Sequence, residues 1–493
     1  MSKLDKDILF LIFEELQEDS KSLFSYLMVN RLWCETVIPI LWRNPWCYYC
    51  FNYKYENTLF NIIFYYLFDD IKDFITNQEI QFPSSSLLFD YLSFCRSIDV
   101  NTINRIISFG SSSAYNQFFM QQKFYSLIMK KCPELKYFDM RSIKHQLFYI
   151  PEAKSCFESL CELRCDTSIH YSYFYGLSSF CQNIQKISIV NIEPKPNDGI
   201  AKLIEVQKNL KHFDWFDELS DEYPSEDPYK DILLALEKKA DSLNYLRIYF
   251  QDSLEIKTLQ KILPRFYKLK TLILDEYLRL TEEQLGQLRK QAYHDLETLN
   301  LEWNGLNVFS NIIENSGRCL KKILFRPYDT IQCDIYCFNE SSLNFIRKVY
   351  ENCPYIKYLS IVFPPSNEHF SEFEKLLKIC QNLKSLLITI RNAGKKEANK
   401  KKFENGKTLL EILIKLAPNN LKEIRFYDDF KFSLENLEEF FERWRGREAL
   451  SIFTSDSIYK RENYKALINK YISEGVIKDF IYESYKVDIY FNI

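Results

Sequence analysis

The chain has 493 residues, 46% hydrophobic and 16% aromatic with only 10 Gly and 15 Pro, a composition that supplies a large continuous core and excludes intrinsic disorder. Sixty-four Lys and Arg stand against 67 Asp and Glu, so the formal net charge is −3 and no global field favours nucleic acid or an acidic lipid surface. Fourteen Cys without a disulfide-framework spacing set the expectation of free thiols in a reducing compartment, cytoplasmic and/or nuclear.

The start, Met1-Ser-Lys-Leu-Asp-Lys-Asp7, is charged and carries no small-residue cleavage site, so no secretory signal is expected. Residues 1–46 read as three short helices. Leu4, Ile8, Leu9, Ile12, Phe13 and Leu16 recur at helical spacing, with Ser2 predicted as the cap and Asp5 in the first turn. Asp19 and Ser20 open a second stretch through Leu23, Phe24, Leu27 and Met28. A third, after Arg31, carries Trp33, Val37, Ile38, Leu41 and Trp42. Forty residues cannot bury that apolar load alone.

Residues 47–131 read as helical pieces with apolar stretches at 59–68, 87–94, 103–109 and 118–129, broken at Pro83 to Ser86 and Gly110 to Ser113. The apolar run at 59–68 is interrupted by Asn61 and falls far short of the roughly 20 residues of a membrane-spanning helix. This region is expected to be a linker and cap over the first repeat, because an uncapped solenoid exposes one end of its core.

From residue 132 onward one phrase recurs: an apolar residue, two mostly polar ones, an apolar residue, one free position, another apolar. It reads Leu135-Lys-Tyr-Phe138-Asp-Met140, Ile184-Gln-Lys-Ile187-Ser-Ile189, Leu243-Asn-Tyr-Leu246-Arg-Ile248 and Leu269-Lys-Thr-Leu272-Ile-Leu274, with weaker echoes at Leu450 and Ile477. Helix-like stretches separate the copies. The phrase resembles the leucine-rich repeat, which implies an α/β solenoid of about a dozen irregular repeats over 132–493, a horseshoe with strands lining its concave side. Cys132, Cys181, Cys353 and Cys380 precede their phrases as small buried hydrophobes. Stretched spacings at 217–231, 327–342 and 392–407 predict loops.

Leu4-Asp-Lys-Asp7-Ile8-Leu9-Phe-Leu-Ile12-Phe13-Glu-Glu-Leu16, then Ser22-Leu23, Leu27-Met-Val29-Asn30-Arg31-Leu-Trp33 and Leu41-Trp42, resemble an F-box, the small helical module that docks on the Skp adaptor of cullin-based ubiquitin ligases. The resemblance covers about 45 residues. It departs at Asp5, where the family usually has Pro with its preset φ, and at Asp7, where Glu is usual. It implies a substrate receptor whose partners are a Skp-type adaptor, through it a cullin, and an unknown target protein. The adaptor-binding residues would be Leu4, Ile8, Leu9, Ile12, Phe13, Leu16, Leu23, Leu27, Val29 and Trp33.

Strand geometry selects the face for the target, since alternate side chains point to opposite sides and the apolar positions of the phrase point inward. The free positions His212, Asp214, Phe216, Tyr245, Arg247, Tyr249, Asp275, Asn300 and Glu302 are therefore the expected target-binding residues. Aromatics and Arg flanked by acids suit protein recognition. Catalytic signals are thin, and no enzyme, cofactor or metal is expected. Cys47-Tyr-Tyr-Cys50 is a lone pair, the five His lack a helical metal spacing, and no phosphate-cradling glycine loop occurs.

Overall fold

Each of the three N-terminal helices begins at a side chain that accepts a hydrogen bond from an N–H the helix cannot pair. Helix α1 (Lys6–Glu15) is capped by Asp5, which accepts from the Lys6 N–H at 2.6 Å. Helix α2 (Ser20–Tyr26) is capped by Asp19 through Ser22, and α3 (Arg31–Leu41) by Asn30 through the Trp33 N–H at 3.0 Å. The cap of α1 is thus Asp5 and not Ser2, which lies outside the described residues. Asp5 stands one place ahead of the first helical position and does there what aspartate does well.

The computed structural model describes residues 5–17, 19–47, 53–76, 86–132, 134–193, 197–218, 229–249, 257–275, 280–290, 293–326, 330–332, 336–391, 398–428 and 430–482. The chain divides into two compact units, residues 1–224 and 225–493. In the first, the N-terminal helices are followed by α4 (Tyr53–Ile71), α5 (Tyr91–Phe94), strand β1 (Ser97–Asp99), α6 (Val100–Ser108) and α7 (Ala114–Lys131). Four strands alternate with three helices after that: β2 (Tyr137–Asp139), α8 (Ala153–Glu158), β3 (Glu162–Asp166), α9 (Tyr171–Phe180), β4 (Lys186–Asn191), α10 (Asp198–Val206) and β5 (His212–Asp217). These strands are parallel and pair in chain order, with Ile98, Phe138, Leu163, Ile187 and Phe213 in one register row.

Among the described residues the second unit repeats the plan with nine parallel strands: β6 (Tyr245–Tyr249), β7 (Thr271–Asp275), β8 (Thr298–Glu302), β9 (Lys322–Leu324), β10 (Tyr358–Phe363), β11 (Ser385–Ile390), β12 (Glu423–Asp428), β13 (Leu450–Thr454) and β14 (Ile477–Tyr482). Its row runs Leu246, Leu272, Leu299, Ile323, Leu359, Leu386, Ile424, Ile452, Phe480. Every member of both rows except Phe480 is buried, so the second apolar position of the phrase is what sets the register. The architecture is a parallel α/β repeat, with a helix returning the chain after most strands.

Strand β1 lies inside the stretch expected to be a helical linker. Its phrase, Cys95-Arg-Ser-Ile98-Asp-Val100, has Cys where the other copies have Leu or Ile, and all three apolar positions are buried. The cysteines form a ladder of their own. Cys132 Sγ donates to the Cys95 carbonyl at 2.9 Å, Cys156 Sγ to Met129 and Cys132, and Cys181 Sγ to Phe157 at 3.2 Å. Burial pushes the thiols of Cys132, Cys181, Cys353 and Cys380 up to about 12, which makes them packing groups and not nucleophiles.

A buried imidazole ties α7 to the loop beyond β2. The His145 ring stacks on Phe118 at 4.0 Å and its Nε2 lies 3.0 Å from Gln121 Oε1. Burial pushes its pKa down to about 4. The unfolded chain therefore binds this proton at a higher pH than the folded chain does. Stability from this site is complete above about pH 6.5 and is lost as pH falls towards 4, at up to roughly 1.4 kcal/mol per pH unit. Chemical denaturation of wild type should show that slope, and His145→Gln should flatten it.

Candidate interaction surfaces

Helix α1 carries two apolar stripes. Leu9 and Phe13, four residues apart, turn inward with Leu23 of α2, and all three are buried. Phe13, Tyr26 and Trp33 close this small core as an aromatic trio, with ring centroids 5.1 to 5.2 Å apart. The second stripe faces away from it: Ile8, Leu11 and Ile12 are exposed, Leu11 by 63%. Met28, 88% exposed, Val29 and Leu32 are exposed at the turn from α2 into α3. Glu14, bridged to Arg43 at 2.7 Å, stands at its margin. Six exposed large aliphatic side chains on a module of about 40 residues mark an interaction surface.

The residues expected to bind the adaptor therefore separate into two sets. Ile8, Ile12 and Val29 are exposed; Leu9, Phe13 and Leu23 belong to the core of the three helices; Leu16, Leu27 and Trp33 are half-buried. Leu4 lies outside the described residues. Leu11, Met28 and Leu32 were not anticipated. Their signal was present, because Ile8, Leu11 and Ile12 keep i, i+3, i+4 spacing beside the Leu9 and Phe13 pair, and one helix cannot bury both stripes against the same neighbours.

On the strands, the free positions of the phrase do point away from the core, with unequal outcomes. His212, Asp214, Phe216, Tyr245 and Tyr249 are half-buried and Arg247 is exposed. Asp275, Asn300 and Glu302 are buried, Asn300 to 2% exposure, so these three expected contact residues do not present themselves to solvent. Glu302 accepts from the Arg326 N–H at 2.9 Å, fixing the chain as it leaves β9. Burial raises the Asp275 carboxyl, while Arg326 and a hydrogen bond from Trp303 oppose the shift. In the first unit the same face is mixed: Arg164 is exposed and Lys186 on β4 bridges Glu162 on β3 at 2.7 Å, while Asp139 and Asp166 are buried.

Among the described residues no group of three His, Cys, Asp or Glu is placed to hold a metal ion. Cys47 is exposed, while Cys50, the other member of the lone pair, lies outside the described residues. No described helix is long and apolar enough to cross a membrane.

No family model matches the chain, and no curated protein does. A chain in the crystal structure of the Rad7 and Elc1 complex from yeast is similar to it, at 13% identity and a TM-score of 0.40, over 74% of this chain and 91% of that one.

Proposed function

We propose that this chain is a non-catalytic substrate-recognition subunit of a Skp/cullin/F-box-type ubiquitin ligase. In this reading the N-terminal helices dock on a Skp-type adaptor and through it on a cullin, and the open strand faces hold a target protein. The observation that carries it is the exposed stripe of Ile8, Leu11 and Ile12 on α1, with Met28, Val29 and Leu32 also exposed at the turn from α2 into α3, on a module that already has its own core. A helical cap whose only task was to close the end of a repeat would have no use for such a stripe. Rate enhancement would come from proximity, since holding a target beside a ubiquitin-charged enzyme raises effective concentration without chemistry in this chain. The working compartment would be the cytoplasm or the nucleus.

Co-purification with a Skp-type adaptor tests the reading: stoichiometric retention of the adaptor supports it. Failure of the wild-type chain to retain any adaptor would leave a repeat scaffold that binds proteins without a ubiquitin link. For the target face, replacing Tyr245, Arg247 and Tyr249 together with Ala should remove targets from the proximity-labelling profile made under proteasome inhibition. Because Arg247 is exposed and both tyrosines are half-buried, the midpoint of thermal unfolding should fall by only a few degrees.

A further inference from the structure

In the first unit a hollow of about 610 Å³ lies between α7 and the segment that follows β2, within the size range of ligand sites. Phe118, Gln122, Ser126 and Lys130 line one wall at four-residue intervals, about 18 Å of helix at 1.5 Å per residue. Residues 144–152 form the facing wall. That wall is fixed from behind: Leu147 is buried, the Phe148 ring lies 4.5 Å from that of Tyr173, and the Tyr173 hydroxyl donates to the His145 carbonyl at 3.2 Å. Tyr125, His145 and Leu147 make a buried floor, while Tyr149 stands 87% exposed on the rim. The hollow is preformed and open to solvent.

The lysines of this region sort by position. Lys123, Lys131 and Lys136, which do not line the hollow, pair with Asp70, Asp90 and Glu134 at 3.0 to 3.3 Å. Lys130 and Lys144, which do line it, are exposed and make no ion pair among the described residues. Glu152, the one carboxylate on the walls, pairs with neither. The side chains of Gln122, Ser126 and Gln146 likewise have no hydrogen-bond partner among the described residues. We propose that this hollow binds an acidic peptide segment of a partner protein, extended along α7, with an aromatic or large aliphatic side chain over the floor and its carboxylates toward Lys130 and Lys144. Two unpaired cations against one carboxylate select an acidic partner. The free amides and hydroxyl suit a peptide main chain, which offers both donors and acceptors, and about 18 Å accommodates roughly five extended residues. A small anion would leave Tyr149 and the rest of the rim in water. That the peptide belongs to a protein marked for ubiquitination rests on the receptor reading; the binding does not.

Selection of a phage-displayed library of random octapeptides on the full purified chain tests the proposal, with the selected sequences then made as fluorescein-labelled synthetic peptides. They should combine Asp or Glu with a large apolar residue. The chain carrying Lys130→Glu with Lys144→Glu should bind them about tenfold or more weakly than wild type, and peptides with Lys in place of the acids should reverse that order. Tyr149→Ala should weaken binding by about threefold or more. All three side chains are exposed, so circular dichroism and the thermal midpoint of each variant should match wild type. A selection without an acidic consensus would overturn the proposal. So would a double variant that binds within about twofold of wild type, or crosslinks from a benzophenone at the peptide's apolar position that miss α7 and residues 144–152. Because the assay contains no adaptor, its failure leaves the co-purification test of the receptor reading untouched.

Discussion

Leu11→Lys combined with Ile12→Lys should abolish retention of a Skp-type adaptor and leave the thermal midpoint of the chain within about 2 °C of wild type. The two side chains are 63% and 44% exposed, so folding gains little from them. Lysine is as good a helix former as leucine, and Glu14 and Glu15 stand three and four residues beyond Leu11 as partners on the helix surface. At the centre of an interface the same change removes two apolar anchors and sets two charges against an apolar partner. The loss should reach about 4 kcal/mol, or a thousandfold in affinity. Surface-immobilised adaptor gives the readout, and retention within tenfold of wild type would dismiss the exposed stripe as the docking face. Leu9→Ala is the wrong test, because Leu9 is 2% exposed and its truncation unfolds the module whether or not the adaptor binds there.

Gly406→Ala should destabilise the second unit by about 3 kcal/mol or more, against the usual gain of up to about 1 kcal/mol for this change inside a helix. Gly406 sits in the helix Asn399–Leu416, where its missing side chain lets the backbone at Lys431 pass. A Cβ there would meet the Lys431 carbonyl oxygen head on, with the carbonyl carbon 2.7 Å and Phe432 Cδ1 3.1 Å away. The obstacle cannot step back. The Lys431 N–H donates to the Lys402 carbonyl at 2.9 Å, and Phe432 is held by Tyr459 at its N–H and by Tyr464 at its carbonyl. Urea denaturation measures the effect, and a neutral or stabilising result would mean that the loop at 430–432 is freer than its hydrogen bonds indicate.

The strands were legible in sequence because each phrase states its own periodicity: two apolar residues flanking one free position need no knowledge of the rest of the chain. Thirteen of the fourteen strands among the described residues answer to an anticipated phrase or echo. β1 escaped because Cys95 fills a place where Leu was sought, although a buried thiol packs there as well as a methyl group does. The spacing along α1 shows two apolar stripes, but not which of them turns inward. Leu9 and Leu11 are chemically identical, and only the arrival of Tyr26 and Trp33 beside Phe13 decides which stripe becomes core. The burial of Asn300 and Glu302 was equally out of reach, since it depends on whether something covers the outward face, a fact that strand spacing does not contain.

The cysteine ladder gives each unit a clock of its own. Cys95, Cys132, Cys156, Cys165 and Cys181 are sealed in the first unit, and Cys353 and Cys380 in the second. A thiol-directed reagent reaches such sulfurs only when the surrounding repeat opens, because burial withholds both access and the thiolate form. Cys47, Cys319 and Cys337 lie at the surface and react first. Once they are blocked, the rates at which the remaining sulfurs are labelled, resolved by peptide, record separately how often each stretch of the repeat comes apart under native conditions. The spacing of thiols that makes the chain pack also makes its local openings measurable without adding a probe.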